Sequence, residues 1–139
     1  MKYLVDANVL VHTANRTDGW RLIVTRIDSM QPRQRMLSAI AEHEIRYMLA
    51  KKKAGDDGRA RPGALLSKFS VAAFDAAASK AAAAVRVSLG GNEQNNQLMD
   101  MLQAGHAKAK DWIFATDDND FSRIPGLKTE NWRRPAKSA

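Results

Sequence analysis

Three apolar residues, Tyr3-Leu4-Val5, run without alternation straight into an acid, Asp6. So short a run suits one buried strand and is too short for most helices. A strand with no alternation is covered on both faces, which is the signature of a parallel sheet. In open α/β sheets, functional groups gather beyond the carboxyl ends of the strands. Asp6 stands at such an end, where a lone buried carboxylate is costly unless something positive holds it. Asn8 follows two residues later, and apolar character resumes at Val9-Leu10-Val11.

The same grammar recurs along the chain. Met36-Leu37-Ser38-Ala39-Ile40 reads as a second buried strand, and Trp112-Ile113-Phe114-Ala115 as a later one running into Thr116-Asp117-Asp118. Helical spacing covers part of Asn8 to Ser29. It returns from Ala41 to about Lys53, where Ile45, Met48 and Leu49 fall on one face. The Ala-rich stretch Val71 to Ser88 is helical by composition, and Leu89-Gly90-Gly91 closes it. Leu98 to Lys110 reads as another helix, whereas Ala54 to Gly63 reads as a loop. Strands alternating with helices predict an α/β fold of three layers, a central mostly parallel sheet flanked by helices. At 139 residues the chain fits a single domain spanning 1–139, with about 133–139 a frayed basic tail.

No cysteine is present, which excludes disulfides and thiolate metal sites and fits a reducing compartment, here expected to be the cytoplasm. No apolar run approaches the roughly 18 residues of a membrane-spanning helix, and no membrane partner is expected. The net charge of +7 favours a polyanionic partner such as nucleic acid.

Against that basic background, the acids are notable for where they stand. Asp6 ends the first strand, and Glu44 is expected to open the helix after the second. Asp100 is expected to open a late helix, and Asp117 and Asp118 follow the last core strand. In a parallel sheet these places share one edge. Converging carboxylates repel, and protonation or a metal ion must relieve them. Oxygen ligands without His or Cys suit Mg²⁺ or Mn²⁺. Each acid also has a plain reading. Asp6 could cap a turn, Glu44 could complement a helix dipole for about 0.3–1 kcal/mol, and Glu42 competes with Glu44. Asp120 reads as a turn brace, and His12, His43 and His106 as surface or core residues. Trp112, Trp132 and the methionines read as packing.

Five stretches in order resemble PIN-domain ribonucleases, specifically VapC-type toxins of toxin–antitoxin pairs. They are YLVDANVLV, LSAIAEHEIRYML, FDAAASKAAAAVR, MDMLQAGHAKAKDWIFATDDNDF and RIPGLKTENW. The resemblance implies that Asp6, Glu44 and Asp100 are the first three metal-binding acids. Asp117 or Asp118 is the fourth, and the choice between them stays open. Asn8, Thr116 and Arg46 would support them, Arg46 in the Glu44-Ile45-Arg46 segment where the family has Glu-Leu-Arg. Apart from the resemblance, Lys51, Lys52, Lys53, Arg59 and Arg61 read as a solvated loop, with nucleic-acid contact as the alternative. The pattern departs at Ala41, Met48, Gln103 and Gly105, where a helix-capping Ser or Thr, a small residue and an apolar series are usual.

The implied function is RNA phosphodiester hydrolysis by metal-activated water, leaving a 5′-phosphate and a 3′-hydroxyl. A VapB-like antitoxin would inhibit the chain, which would form a homodimer. The competing readings are a PIN nuclease outside a toxin–antitoxin pair, a PIN-like scaffold that binds nucleic acid without cutting, and a phosphotransfer protein using Asp6. The last usually has a second Asp two places on, where this chain has Asn8.

Overall fold

In the computed structural model, which describes residues 1–51, 60–90 and 95–135, the run Tyr3–Val5 is strand β1 and lies in the middle of the sheet. The other strands among the described residues are β2 (Arg35–Ser38), β3 (Ser70–Ala72), β4 (Ile113–Ala115) and β5 (Thr129–Glu130). Their order is β3-β2-β1-β4-β5, and every pairing is parallel. Helices α1 (Ala7–Ala14) and α2 (Trp20–Asp28) join β1 to β2. Helices α3 (Ala39–Lys51) and α4 (Ala60–Leu66) lie between β2 and β3, and α5 (Ala76–Ser88) and α6 (Asn95–Lys110) between β3 and β4.

That order places a reversal next to β1. The chain steps outward through β2 and β3, then crosses back to β4 on the other side of β1. Parallel crossovers are right-handed, so reversing the direction of travel moves the later helices to the opposite face. The two cores follow this division. Val5 and its register partner Ala115 face a core with Val9, Leu10, Ile23, Ile27 and Ile45 from α1, α2 and α3. Leu4 and its partner Phe114 face one with Val85, Met101, Ala104 and Ala107 from α5 and α6. Each fully buried aliphatic side chain contributes about 1.5–3 kcal/mol. The reversal also fixes the location of the crevice, outside the carboxyl ends of β1 and β4.

The Ala tract is explained by how closely α5 approaches α6. A Cβ on Gly105 of α6 would stand 2.2 Å from the Ala82 Cα of α5, so only glycine fits. Gly90, with φ of +80°, terminates α5 in the left-handed conformation expected of the closing glycines.

Several boundaries differ from the sequence reading. β2 ends at Ser38 and α3 begins at Ala39, because the Ser38 hydroxyl accepts from the Ile40 N–H at 3.2 Å and turns the chain into the helix. Glu44 therefore lies in the second turn of α3. Asp100 likewise lies in the second turn of α6, because the polar residues from Asn95 onward, which carry no apolar period, are already helical. Ser70–Ala72 is an edge strand and not the start of α5, which begins at Ala76 behind the capping carboxylate of Asp75. An exposed three-residue edge leaves no buried run to read. Ala60 to Gly63 is helical, since Pro62 falls in the first turn of α4, where proline is tolerated. β5 was not anticipated. Its Glu130 carboxylate accepts from Arg26 Nε at 2.8 Å and from Trp132 Nε1 at 3.0 Å, which fastens the segment to α2. Trp132 is buried, as its packing role requires.

Candidate functional site

The register of β1 against β4 sets Val5 beside Ala115, and the Asp6 N–H continues the ladder onto the Ala115 carbonyl at 2.9 Å. Asp6 and Thr116 are thereby neighbours where the two strands end. Asp6 is 1% exposed, and its two oxygens are separately engaged. Oδ2 accepts from the Thr116 hydroxyl at 2.9 Å, and Oδ1 accepts from the Asn8 N–H at 3.1 Å, which caps α1. The Asn8 side chain turns the other way, its Nδ2 lying 3.4 Å from both oxygens of Asp100 on α6.

Glu44 enters from α3. Its Oε2 accepts from Gln103 Nε2 at 3.3 Å, and Gln103 Oε1 accepts from the Ala7 N–H at 3.0 Å. The segments bearing Asp6, Glu44 and Asp100 thus meet through Asn8 and Gln103.

The electrostatics are those of crowded anions. Burial is the main cause that lifts Asp6 from 3.8 to about 6; its bonds from Asn8 and Thr116 oppose the rise, and repulsion from Asp117 and Asp118 adds to it. Asp100 is pushed up to about 8, by burial first and then by the charges of Asp6, Glu44 and Asp118. Glu44 is raised by burial and by Asp6, and Gln103 holds it back. Among the described residues, no Lys, Arg or His side chain pairs with Asp6, Glu44 or Asp100. No three of the described acids and histidines already close on a common point.

The structure separates Asp117 from Asp118. Asp117 Oδ2 is held by Arg133 Nη1 at 2.8 Å and by His12 Nε2 at 3.2 Å. Asp118 has no such cation among the described residues. Its Oδ1 accepts from the Asp120 N–H at 2.9 Å, opening a short 3₁₀ turn over Asn119–Arg123, and its own N–H donates to the Thr116 hydroxyl at 3.2 Å. Asp117 is close enough to repel Asp6, but Asp118 repels both Asp6 and Asp100.

Residues 3–127 match the family model described as the PIN domain. The chain belongs to the PIN-domain family. Over 133 residues it is 24% identical to the tRNA(fMet)-specific endonuclease VapC of Shigella flexneri, covering 95% of this chain and 98% of that one. It is 26% identical to ribonuclease VapC2 of Rickettsia felis, with the same coverage. A chain from the solved structure of VapBC2 of Rickettsia felis bound to a DNA fragment from their promoter superposes with a TM-score of 0.74 at 26% identity, covering 95% of this chain and 99% of that one.

Other candidate residues of this PIN domain are placed apart from the acids. Arg46 is 66% exposed and pairs with Glu42 one helical turn away. Lys51 Nζ lies over the Tyr47 ring, 4.8 Å from its centre. Lys52, Lys53 and Arg59 lie outside the described residues, and of Arg61 only its backbone, in α4, is described. His106 is buried, with Nδ1 2.8 Å from Ser38 Oγ and its ring edge-on to Phe74, a core residue as read.

Two residues of the PIN domain were passed over in the sequence. Gln103 appears there only as a polar break in an apolar series, yet it is wholly buried beside Glu44. Arg133, assigned to the frayed tail, is anchored by two guanidinium bonds to the Asp18 carbonyl as well as to Asp117. The one local hint for the first was a Gln three residues after Asp100, on the same helix face among apolar and small residues. Nothing local marked the second.

Proposed function

We propose that this PIN domain is a Mg²⁺- or Mn²⁺-dependent endoribonuclease and the toxin of a VapB-like antitoxin. The observation that carries the reading is the uncompensated cluster. Asp6, Glu44 and Asp100 are raised first by burial and then by neighbouring acids, Asp6 by Asp117 and Asp118, Glu44 by Asp6, and Asp100 by Asp6, Glu44 and Asp118. No cation among the described residues pairs with them. An all-oxygen donor set fits a hard divalent ion, which would draw together carboxylates that do not yet converge. Asp6, Glu44, Asp100 and Asp118 would hold it, with Asp117 retained by Arg133. When bound, such an ion supplies a Lewis acid that polarises a phosphoryl oxygen and eases deprotonation of water.

The chain's own groups do the positioning. Thr116 and the Asn8 N–H fix the two oxygens of Asp6, and the Asn8 amide holds Asp100. The basic excess draws RNA phosphates toward an acidic cleft that would otherwise repel them. The endonuclease and ribonuclease names of the relatives support RNA as substrate, and the VapBC2 complex supports an antitoxin partner. A homodimer belongs to the same reading, with apolar helix faces such as the one carrying Val87, 79% exposed, meeting between copies. No described helix is long and apolar enough to cross a membrane. The cytoplasm, where RNA substrate is found, is the proposed location.

The test is cleavage of defined RNA by purified protein with Mg²⁺ or Mn²⁺, stopped by a chelator, with product ends sequenced. Asp6→Asn should abolish cleavage and leave the fold intact. No cleavage by wild type, or undiminished cleavage by Asp6→Asn, overturns the proposal.

A further inference from the structure

Gln103 is 0% exposed on a face of α6 whose neighbours Ala104 and Ala107 are also fully buried. A buried amide is costly unless its polar atoms are satisfied. Here all three contacts fix its orientation. Oε1 faces the Ala7 N–H at 3.0 Å, which only donates. Nε2 faces the Glu44 carboxylate at 3.3 Å and the Met99 carbonyl at 3.2 Å, which only accept. Flipping the amide would break every one of these bonds.

Each partner belongs to the cleft or adjoins it. Ala7 follows Asp6 and is the first residue of α1, so its N–H has no partner within the helix. Glu44 is a candidate ligand, with a flexible side chain that Asp6 repels. Met99 precedes Asp100, and Gln103 stands one turn beyond Asp100 on the same face of α6. A single side chain therefore joins the segments that carry three of the four acids. Core filling alone does not call for this chemistry. Leu or Met would fill the space but leave the Ala7 N–H unpaired and Glu44 free to swing, and Glu would set a second carboxylate against Glu44.

We infer that Gln103 is a positioning residue of the acidic cleft, whose amide holds the Glu44 carboxylate in register with Asp6 and so sets the affinity of the cleft for a divalent ion. The inference rests on the four-acid reading of the site. Groups that orient a ligand without touching the ion typically change metal affinity by about 10–100-fold when lost.

The experiment is calorimetric titration of the whole chain with Mn²⁺ alone, beside thermal melting in chelator. Gln103→Met should melt cooperatively and bind Mn²⁺ at least about tenfold more weakly. In a Glu44→Gln background the same change should cost little more, because the two residues act through one contact. An Mn²⁺ affinity unchanged in Gln103→Met, or losses that multiply in the double variant, overturns the inference and leaves the four-acid site standing. Wild type that binds no Mn²⁺ overturns the four-acid reading, and this inference with it. Should Gln103→Met not fold, Mg²⁺ titration of the folded wild type read by nitrogen NMR replaces it. The Gln103 side-chain amide should shift along the binding curve in wild type and stay put in Glu44→Gln; an amide unmoved in wild type overturns the inference.

Discussion

The Thr116 hydroxyl donates to Asp6 Oδ2 at 2.9 Å, joining residues 110 positions apart in the chain. The Thr116 hydroxyl oxygen itself accepts from the Asp118 N–H at 3.2 Å, so one hydroxyl sets both a buried carboxylate and the turn behind it. Thr116→Val keeps the shape and removes both bonds. Asp6 should then titrate higher, because the Thr116 bond is one of the contacts holding it down. RNA cleavage near pH 7 should fall by about 10–100-fold, the range for loss of a group that orients a ligand. A steady-state pH profile of wild type and variant checks both outcomes.

Stability should fall with rising pH when divalent ions are chelated. Burial lifts Asp6 from 3.8 to about 6 and Asp100 from 3.8 to about 8. A carboxyl raised on folding stabilises the native state below its unfolded value and gives that stability up as pH climbs through its folded value. The melting temperature in chelator should therefore drop between about pH 4 and pH 8. Mn²⁺ should restore it most at the alkaline end. The slope should flatten in Asp6→Asn/Asp100→Asn, whose side chains no longer ionise, and a melting temperature that rises across this window contradicts the assignment.

Asp117 and Asp118 should part in mutagenesis. Asp118→Asn removes an acid that acts on both Asp6 and Asp100 and should lower cleavage by more than the ~10–100-fold typical of an orienting group. Asp117→Asn can still accept from Arg133 and should retain most activity. Arg133→Ala should be worse than Asp117→Asn, because it both frees the Asp117 charge beside Asp6 and releases the Asp18 carbonyl. Parallel kinetics and melts of the three variants separate these effects.

Gly105→Ala should be severely destabilising. Its Cβ would meet the Ala82 Cα at 2.2 Å and the Ala82 N at 2.4 Å, backbone atoms that cannot rotate away. Overpacking typically costs about 1–3 kcal/mol, and a backbone clash belongs at the upper end or beyond. Gly63→Ala in α4 meets nothing within 4 Å and should be neutral or stabilise by up to about 1 kcal/mol. Urea melts of both variants supply the contrast.

The sequence carried the central strands well because they leave a local mark. Tyr3-Leu4-Val5 is continuous apolar sequence because β1 is covered on both faces, and the acid that ends it is visible for the same reason. β3 and β5 leave no such mark, since an edge strand of two or three partly exposed residues looks like turn or Ala-rich helix. Helix starts were displaced where a polar residue, Ser38, did the turning inside an apolar run. Gln103 and Arg133 went unread because their partners are remote. Gln103 meets Ala7 across 96 positions, and Arg133 meets Asp18 across 115. Gly105 looked like an interruption of α6 because its reason lies in the backbone of another helix.

Asp6 both ends β1 and caps α1 through the Asn8 N–H. Asparagine caps a helix as well as aspartate does, and a threonine hydroxyl can accept as readily as donate. Exchanging one oxygen of Asp6 for an amide nitrogen therefore removes the charge while the helix cap and a bond to the Thr116 oxygen can both remain. At this position the local architecture does not depend on the charge. Under the four-acid reading, Asp6→Asn would give a disarmed copy of the protein, intact enough to stand in for the active one wherever its shape alone is recognised.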